Sequence, residues 1–133
     1  MAALTVTHDK GDRFSIAVRG HVLHVDQPVD GGGEDTAPTP TELFVASLAS
    51  CVAFYARRYL KRHGLPEDGL SVSAEADMGS KPSRVASMRV TVTLPAGVPE
   101  EKRQALLAVA SHCTVHNTLT NAPEVVVELA GSG

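Results

Sequence analysis

The stretch from Pro38 to His63, PTPTELFVASLASCVAFYARRYLKRH, decides the architecture. Thr39 is placed as an N-cap, Pro40 at the first helical position, and Glu42 three residues after the cap, where it closes a capping box. From Leu43 to Tyr55 nearly every residue is apolar or small. A helix apolar all round is buried on most sides, so this one is expected at the centre of the fold or under a second chain. Lys61, Arg62 and His63 complement the dipole in the last turn, and Gly64 stops the helix.

On the N-terminal side, the segment Pro28–Pro40 (PVDGGGEDTAPTP) reads as a loop. Before it the period is two. Leu4, Val6 and His8 share one face, Phe14, Ile16 and Val18 another, and Val22, Leu23 and Val25 follow the Arg19-Gly20 turn, which predicts three strands with the last two as a hairpin. On the C-terminal side, Leu70 to Ala76 and Val85 to Leu94 alternate around a Gly79-Ser80-Lys81-Pro82 connection. Pro99-Glu100-Glu101 opens a second helix, with Leu106, Val109, Ala110 and Cys113 as its apolar stripe. A short helix is expected near His116–Thr120 and a closing strand at Val125–Leu129. The order βββ–α–ββ–α–α–β predicts one α+β domain over residues 1–133, with mainly antiparallel pairing.

Composition narrows the function. Of 133 residues, 43% are apolar and 20% charged, which is ordinary globular usage and excludes disorder and collagen-like chains. A net charge of −3 and 4% aromatics argue against a nucleic-acid binder. No run of 18 apolar residues predicts a membrane span, and MAALTVTHDKGD carries no basic leader or apolar stretch. A cytoplasmic location with both cysteines reduced is therefore expected.

Cys51 lies on a stripe with Phe44, Leu48 and Tyr55, and Cys113 ends the stripe of the second helix. Two readings stand at this point. Free cysteines are commonly inert core residues. Alternatively, helices packed by these stripes bring the thiols together as a dithiol pair, one attacking and one resolving. The attacking thiol then needs a cation from the fold, because Cys51 lies about 16 Å beyond the helix start, out of the dipole's range. Arg13, Arg19, Arg57 and Arg58 are the candidates. His112 and His116 flank Cys113 at i, i+4, donors that suit zinc or copper, but no second ligand cluster accompanies them and no metal is expected.

Three blocks carry a family resemblance: Asp26-Gln27-Pro28 leading to Gly32-Gly33; Pro38-Thr39-Pro40-Thr41-Glu42-Leu43 leading to Ala49-Ser50-Cys51; and His112-Cys113-Thr114-Val115-His116-Asn117-Thr118-Leu119. Together they resemble the OsmC/Ohr family of osmotically inducible and organic hydroperoxide resistance proteins, in its OsmC-like branch. The resemblance implies an intertwined homodimer with sheets wrapped around two central helices. It also implies cysteine-based peroxidase chemistry, with Cys51 attacking the peroxide and Cys113 resolving the sulfenic acid to a disulfide. No cofactor is implied, since sulfur carries the electrons, and a dithiol reductant, lipoyl-type or other, resets the pair.

The family pairs an arginine of the N-terminal sheet with a glutamate directly after the helix proline. Here Thr41 holds that place and Glu42 follows it, and Arg13 is the matching arginine, with Arg19 as fallback. Apolar surroundings at Phe44, Leu48 and Tyr55, with His116 as a hydrogen-bonding group, point to an organic hydroperoxide substrate. The alternative is a catalytically altered member that binds a small hydrophobic ligand at the dimer interface.

Overall fold

The computed structural model describes residue 1 and residues 3–131. The chain forms two compact units, Met1–Ser47 with Ala74–Arg89, and Leu48–Ser73 with the chain from Val90 onward.

In the first unit, β1 (Thr5–Lys10), β2 (Arg13–Val18) and β3 (His21–Val25) form an antiparallel sheet in the order β1-β2-β3. Val6 pairs with Ile16 and Ile16 with Leu23, so the alternating apolar residues fall in register. The β2–β3 turn closes on two residues, Arg19 at φ 48° and Gly20 at φ 83°. Two successive left-handed residues match the twist of the flanking strands, which is the type I′ solution for a two-residue hairpin. Val6 and Leu23, on the face they share with Ile16, remain exposed, as does Val22 on the opposite face.

Beyond β3 the chain closes a tight loop on Asp26. The Asp26 N–H donates to Pro38 O at 3.1 Å, and Asp35 N–H donates to Gln27 O at 2.9 Å. Gly33 is the residue this closure demands. A Cβ there would collide with the Gln27 carbonyl oxygen and would lie 2.7 Å from Asp26 Oδ1.

Helix α1 (Pro40–Arg62) starts as expected. Thr39 N–H donates to Glu42 Oε1 at 2.9 Å and Glu42 N–H to Thr39 Oγ1 at 3.0 Å, the reciprocal capping box. It ends in a Schellman motif. Gly64 takes φ 62°, its N–H donates to Lys61 O, and Leu65 N–H donates to Leu60 O.

Within one chain, burial of α1 is confined to one stripe. Only the stripe Leu48, Val52, Ala56, Tyr59 and Leu60 is buried, while Phe44 and Phe54 are 42% and 53% exposed. A single chain has too little surface to enclose a helix that is apolar on every side. By length and composition alone α1 could span a bilayer, with a mean hydropathy of 1.2 over its most apolar window. Its buried stripe instead joins a core within the protein.

In the second unit, Ala56, Tyr59 and Leu60 pack with Val98 and Leu106, ringed by Leu65, Leu70, Val92 and Leu94. Leu106 and Ala110 of α2 (Glu100–Ala110) are buried, but Val109, expected on the same stripe, is 44% exposed. Helix α3 (Thr114–Thr120) begins two residues before the expected start. Strands β4 (Ser71–Gly79) and β5 (Arg84–Thr93), most of whose residues belong to the first unit, pair across the expected connection.

The closing strand expected at Val125–Leu129 is absent. This segment forms no strand, and Val125, Val126, Val127 and Leu129 are 71–97% exposed. A strand is defined by its neighbour's hydrogen bonds, and within the described residues the segment meets no strand edge to pair with.

Candidate active site

The second unit brings the two cysteines together. Cys51, in the fourth turn of α1, is half-buried, and Cys113, between α2 and α3, is fully buried. The two thiols, 62 positions apart in the chain, lie near enough to interact. Burial pushes the Cys113 thiol above its ordinary value of 9.0, and the neighbouring Cys51 thiol pushes it in the same direction. The His116 backbone N–H opposes this by donating to Cys113 Sγ at 3.4 Å. That contact exists because Cys113 takes the extended conformation of an N-cap, φ −68° and ψ 158°, and its sulfur stands where a serine or threonine oxygen usually does.

A second bond ties the cysteine-bearing segments. Tyr55, one turn after Cys51, meets Thr114, the residue after Cys113, with 3.0 Å between their hydroxyl oxygens. Tyr55 was expected against substrate, and here its hydroxyl braces the dithiol pair. Its ring stands edge-on to Phe54 at 5.6 Å. Arg58 lies over that Phe54 ring at 5.3 Å, and Arg57 Nε is paired with Glu67 Oε1 at 2.5 Å. Both of these arginines are thus engaged away from the thiols.

The other predicted residues fall as follows. Leu48 is buried on the core stripe of α1. Phe44 lines a shallow cavity of about 420 Å³ with Pro40, Thr41, Met78 and Arg84. The Glu42 carboxylate is engaged in the capping box. His116 contributes its backbone to Cys113, and the His112 ring nitrogen Nδ1 lies 2.8 Å from Ala108 O. Among the described residues, no group of three or more His, Cys, Asp or Glu side chains converges as a metal site.

Arg13 belongs to the first unit and is held on two sides. Its Nε donates to Asp9 Oδ2 at 3.2 Å and its Nη1 to Thr36 Oγ1 at 2.7 Å. Arg19, the fallback, occupies the β2–β3 turn. The sequence reading missed Asp26 and Thr36. Asp26 is 2% exposed, and hydrogen bonds from the Thr36 hydroxyl, then from the backbone N–H groups of Thr36 and Gln27, hold its carboxyl down to about 2. The Asp26-Gln27-Pro28 block was visible, but nothing in it announces a buried carboxylate.

Residues 32–128 match the family model described as OsmC-like protein. No curated protein matches the chain. Among solved structures, the chain resembles an osmotic-stress-induced and detoxification-response candidate from Psychrobacter arcticus 273-4. The TM-score there is 0.82 at 23% identity, covering 89% of this chain and 88% of that one. An OsmC-like protein from Mycoplasma pneumoniae gives a TM-score of 0.78 at 13% identity, covering 90% and 87%. An organic hydroperoxide resistance protein OsmC from Legionella pneumophila gives 0.61 at 21% identity, covering 90% of each chain. At these identities the structural likeness establishes the fold.

Proposed function

The chain belongs to the OsmC-like protein family, and we propose that it is a homodimeric thiol peroxidase that reduces organic hydroperoxides. The observation that carries the reading is the thiol–thiol contact between half-buried Cys51 and fully buried Cys113. Two inert core cysteines need no such contact, whereas a dithiol cycle requires it.

In the proposed cycle, Cys51 attacks the distal oxygen of ROOH as a thiolate. The O–O bond breaks, ROH leaves with one added proton, and Cys51 becomes a sulfenic acid. The Cys113 thiol then displaces water from that sulfur to form the Cys51–Cys113 disulfide. An external dithiol, lipoyl-type or other, takes up the disulfide and returns both thiols. Cys113 suits the second role, because a buried thiol held protonated competes poorly for peroxide. Arg13 is assigned as the cation for the thiolate and the peroxide, and Glu42 as the family's acid, one position displaced. Phe44, Leu48, Tyr55 and His116 are assigned to the substrate.

The proposed dimer draws support from apolar surface left open in one chain: Val22 and Leu23 on the sheet, Phe44 and Phe54 on α1, and Val125–Leu129. The proposed setting is the cytoplasm, as a single domain in which reductants keep both thiols open to turnover.

The test is one equivalent of cumene hydroperoxide on reduced protein, followed by intact mass and peptide mapping. A loss of two hydrogens linking Cys51 to Cys113 is expected. Cys51→Ser abolishes turnover, and Cys113→Ser accumulates a sulfenic acid that dimedone traps. Equal turnover by wild type and Cys51→Ser refutes the reading. An unchanged mass with saturable uptake of a fatty ligand supports a binding protein instead.

A further inference from the structure

We infer that Asp26 is a positioning residue that, through the hydroxyl of Thr36, fixes the orientation of the Arg13 guanidinium. The inference rests on the reading of Arg13 as the activating cation and adds how that cation is held.

The geometry is a directed chain. A threonine hydroxyl has one proton, and Thr36 gives it to Asp26 Oδ2 at 2.7 Å. The same carboxylate oxygen accepts the Thr36 backbone N–H at 3.0 Å, while Oδ1 accepts Gln27 N–H at 2.7 Å. With its proton committed, Thr36 Oγ1 offers only lone pairs outward, and Arg13 Nη1 donates into them at 2.7 Å. Arg13 Nε is fixed separately on Asp9, whose carboxylate also accepts the Ser15 hydroxyl at 2.8 Å. Two anchors on one planar fork leave Nη2 without a hydrogen-bond partner among the described residues.

Asp26 is also the only buried charged residue among those described, and no cation lies within ion-pair distance of it. A buried carboxylate is retained when its hydrogen bonds are fully used. Closing the loop uses the backbone N–H groups of Gln27 and Thr36. The hydroxyl bond is additional to that closure, and it is the link that reaches Arg13. Ionised at neutral pH, Asp26 can only accept, which keeps the chain pointing one way.

Thr36→Val separates the two tasks, because it retains the backbone N–H to Asp26 and removes the hydroxyl. The measurement is the second-order rate of Cys51 oxidation by cumene hydroperoxide in wild type, T36V, T36S, R13A and the R13A/T36V double variant. T36V is expected to slow the reaction about tenfold, the loss of one hydrogen bond to a charged group. T36S, which keeps the hydroxyl, is expected to recover most of that rate. R13A/T36V is expected to be no slower than R13A. If T36V does not fold, T36A makes the same comparison.

A wild-type rate in T36V beside a slow R13A overturns the inference. So does a T36V loss of equal size in the R13A background. A wild-type rate in R13A defeats the underlying reading instead. In that case the Arg13 Nη–H resonances decide positioning on their own: resolved signals in wild type that collapse by free rotation in T36V support it, and unchanged signals overturn it.

Discussion

Reduced protein exposed to iodoacetamide at pH 7 should be labelled at Cys51 and spared at Cys113. The reagent takes the thiolate. A free cysteine with a pKa near 8.5 is about 3% thiolate at pH 7. Burial raises the Cys113 thiol above its ordinary value, so its thiolate fraction is smaller than that of a free cysteine and ionisation alone slows it. Its side chain is also fully buried, so the reagent must wait for a local opening. An opening cost of about 3 kcal/mol adds a factor of about 100. Cys113 is thus expected to label at least about a hundred times more slowly than a free cysteine. The assay is quenched labelling with peptide mass readout at pH 7 and pH 9.5, under dithiol so that no disulfide forms. The pH 9.5 rate should rise with the thiolate fraction yet remain well below that of a free cysteine, because burial persists. Labelling of Cys113 at the free-cysteine rate at pH 7 would refute the division of labour between the two thiols.

Asp26 should shape the acid limb of stability. Its carboxyl is depressed from 3.8 to about 2, so its contribution is complete above pH 3.8 and is lost as pH falls from there toward 2. Asp26→Asn should flatten thermal stability across that window, and an unchanged acid limb would count against the hydrogen-bond network. Gly33→Ala should lower the melting temperature sharply, since its methyl group meets backbone at Gln27; a melting point within about 1 °C of wild type means the loop opens freely. Leu60→Ala, at a fully buried core position, should cost about 2–5 kcal/mol in a urea titration, and a loss under about 1 kcal/mol would mean that this core collapses around the gap.

The parts of the fold that a few neighbouring residues decide were legible in the sequence. The Thr39–Glu42 capping box, the Gly64 stop and the Arg19-Gly20 turn each depend on residues within about five positions of one another. Their backbone geometry follows from local sterics and local hydrogen bonds, and so did the family-bearing cysteine blocks, which the match over residues 32–128 supports.

What required tertiary structure was everything whose partner lies elsewhere in the chain. The meeting of Cys51 with Cys113, the Tyr55–Thr114 brace and the Asp26–Thr36–Arg13 chain join segments separated by 10 to 62 residues. Val125–Leu129 failed as a strand for the same reason, because alternation supplies side chains with a preference but only a neighbouring edge supplies hydrogen bonds. Helix α1 shows the division within one element. Composition determined that it would be a helix and apolar all round, while the packing of Leu48, Val52, Ala56, Tyr59 and Leu60 decided which side is buried.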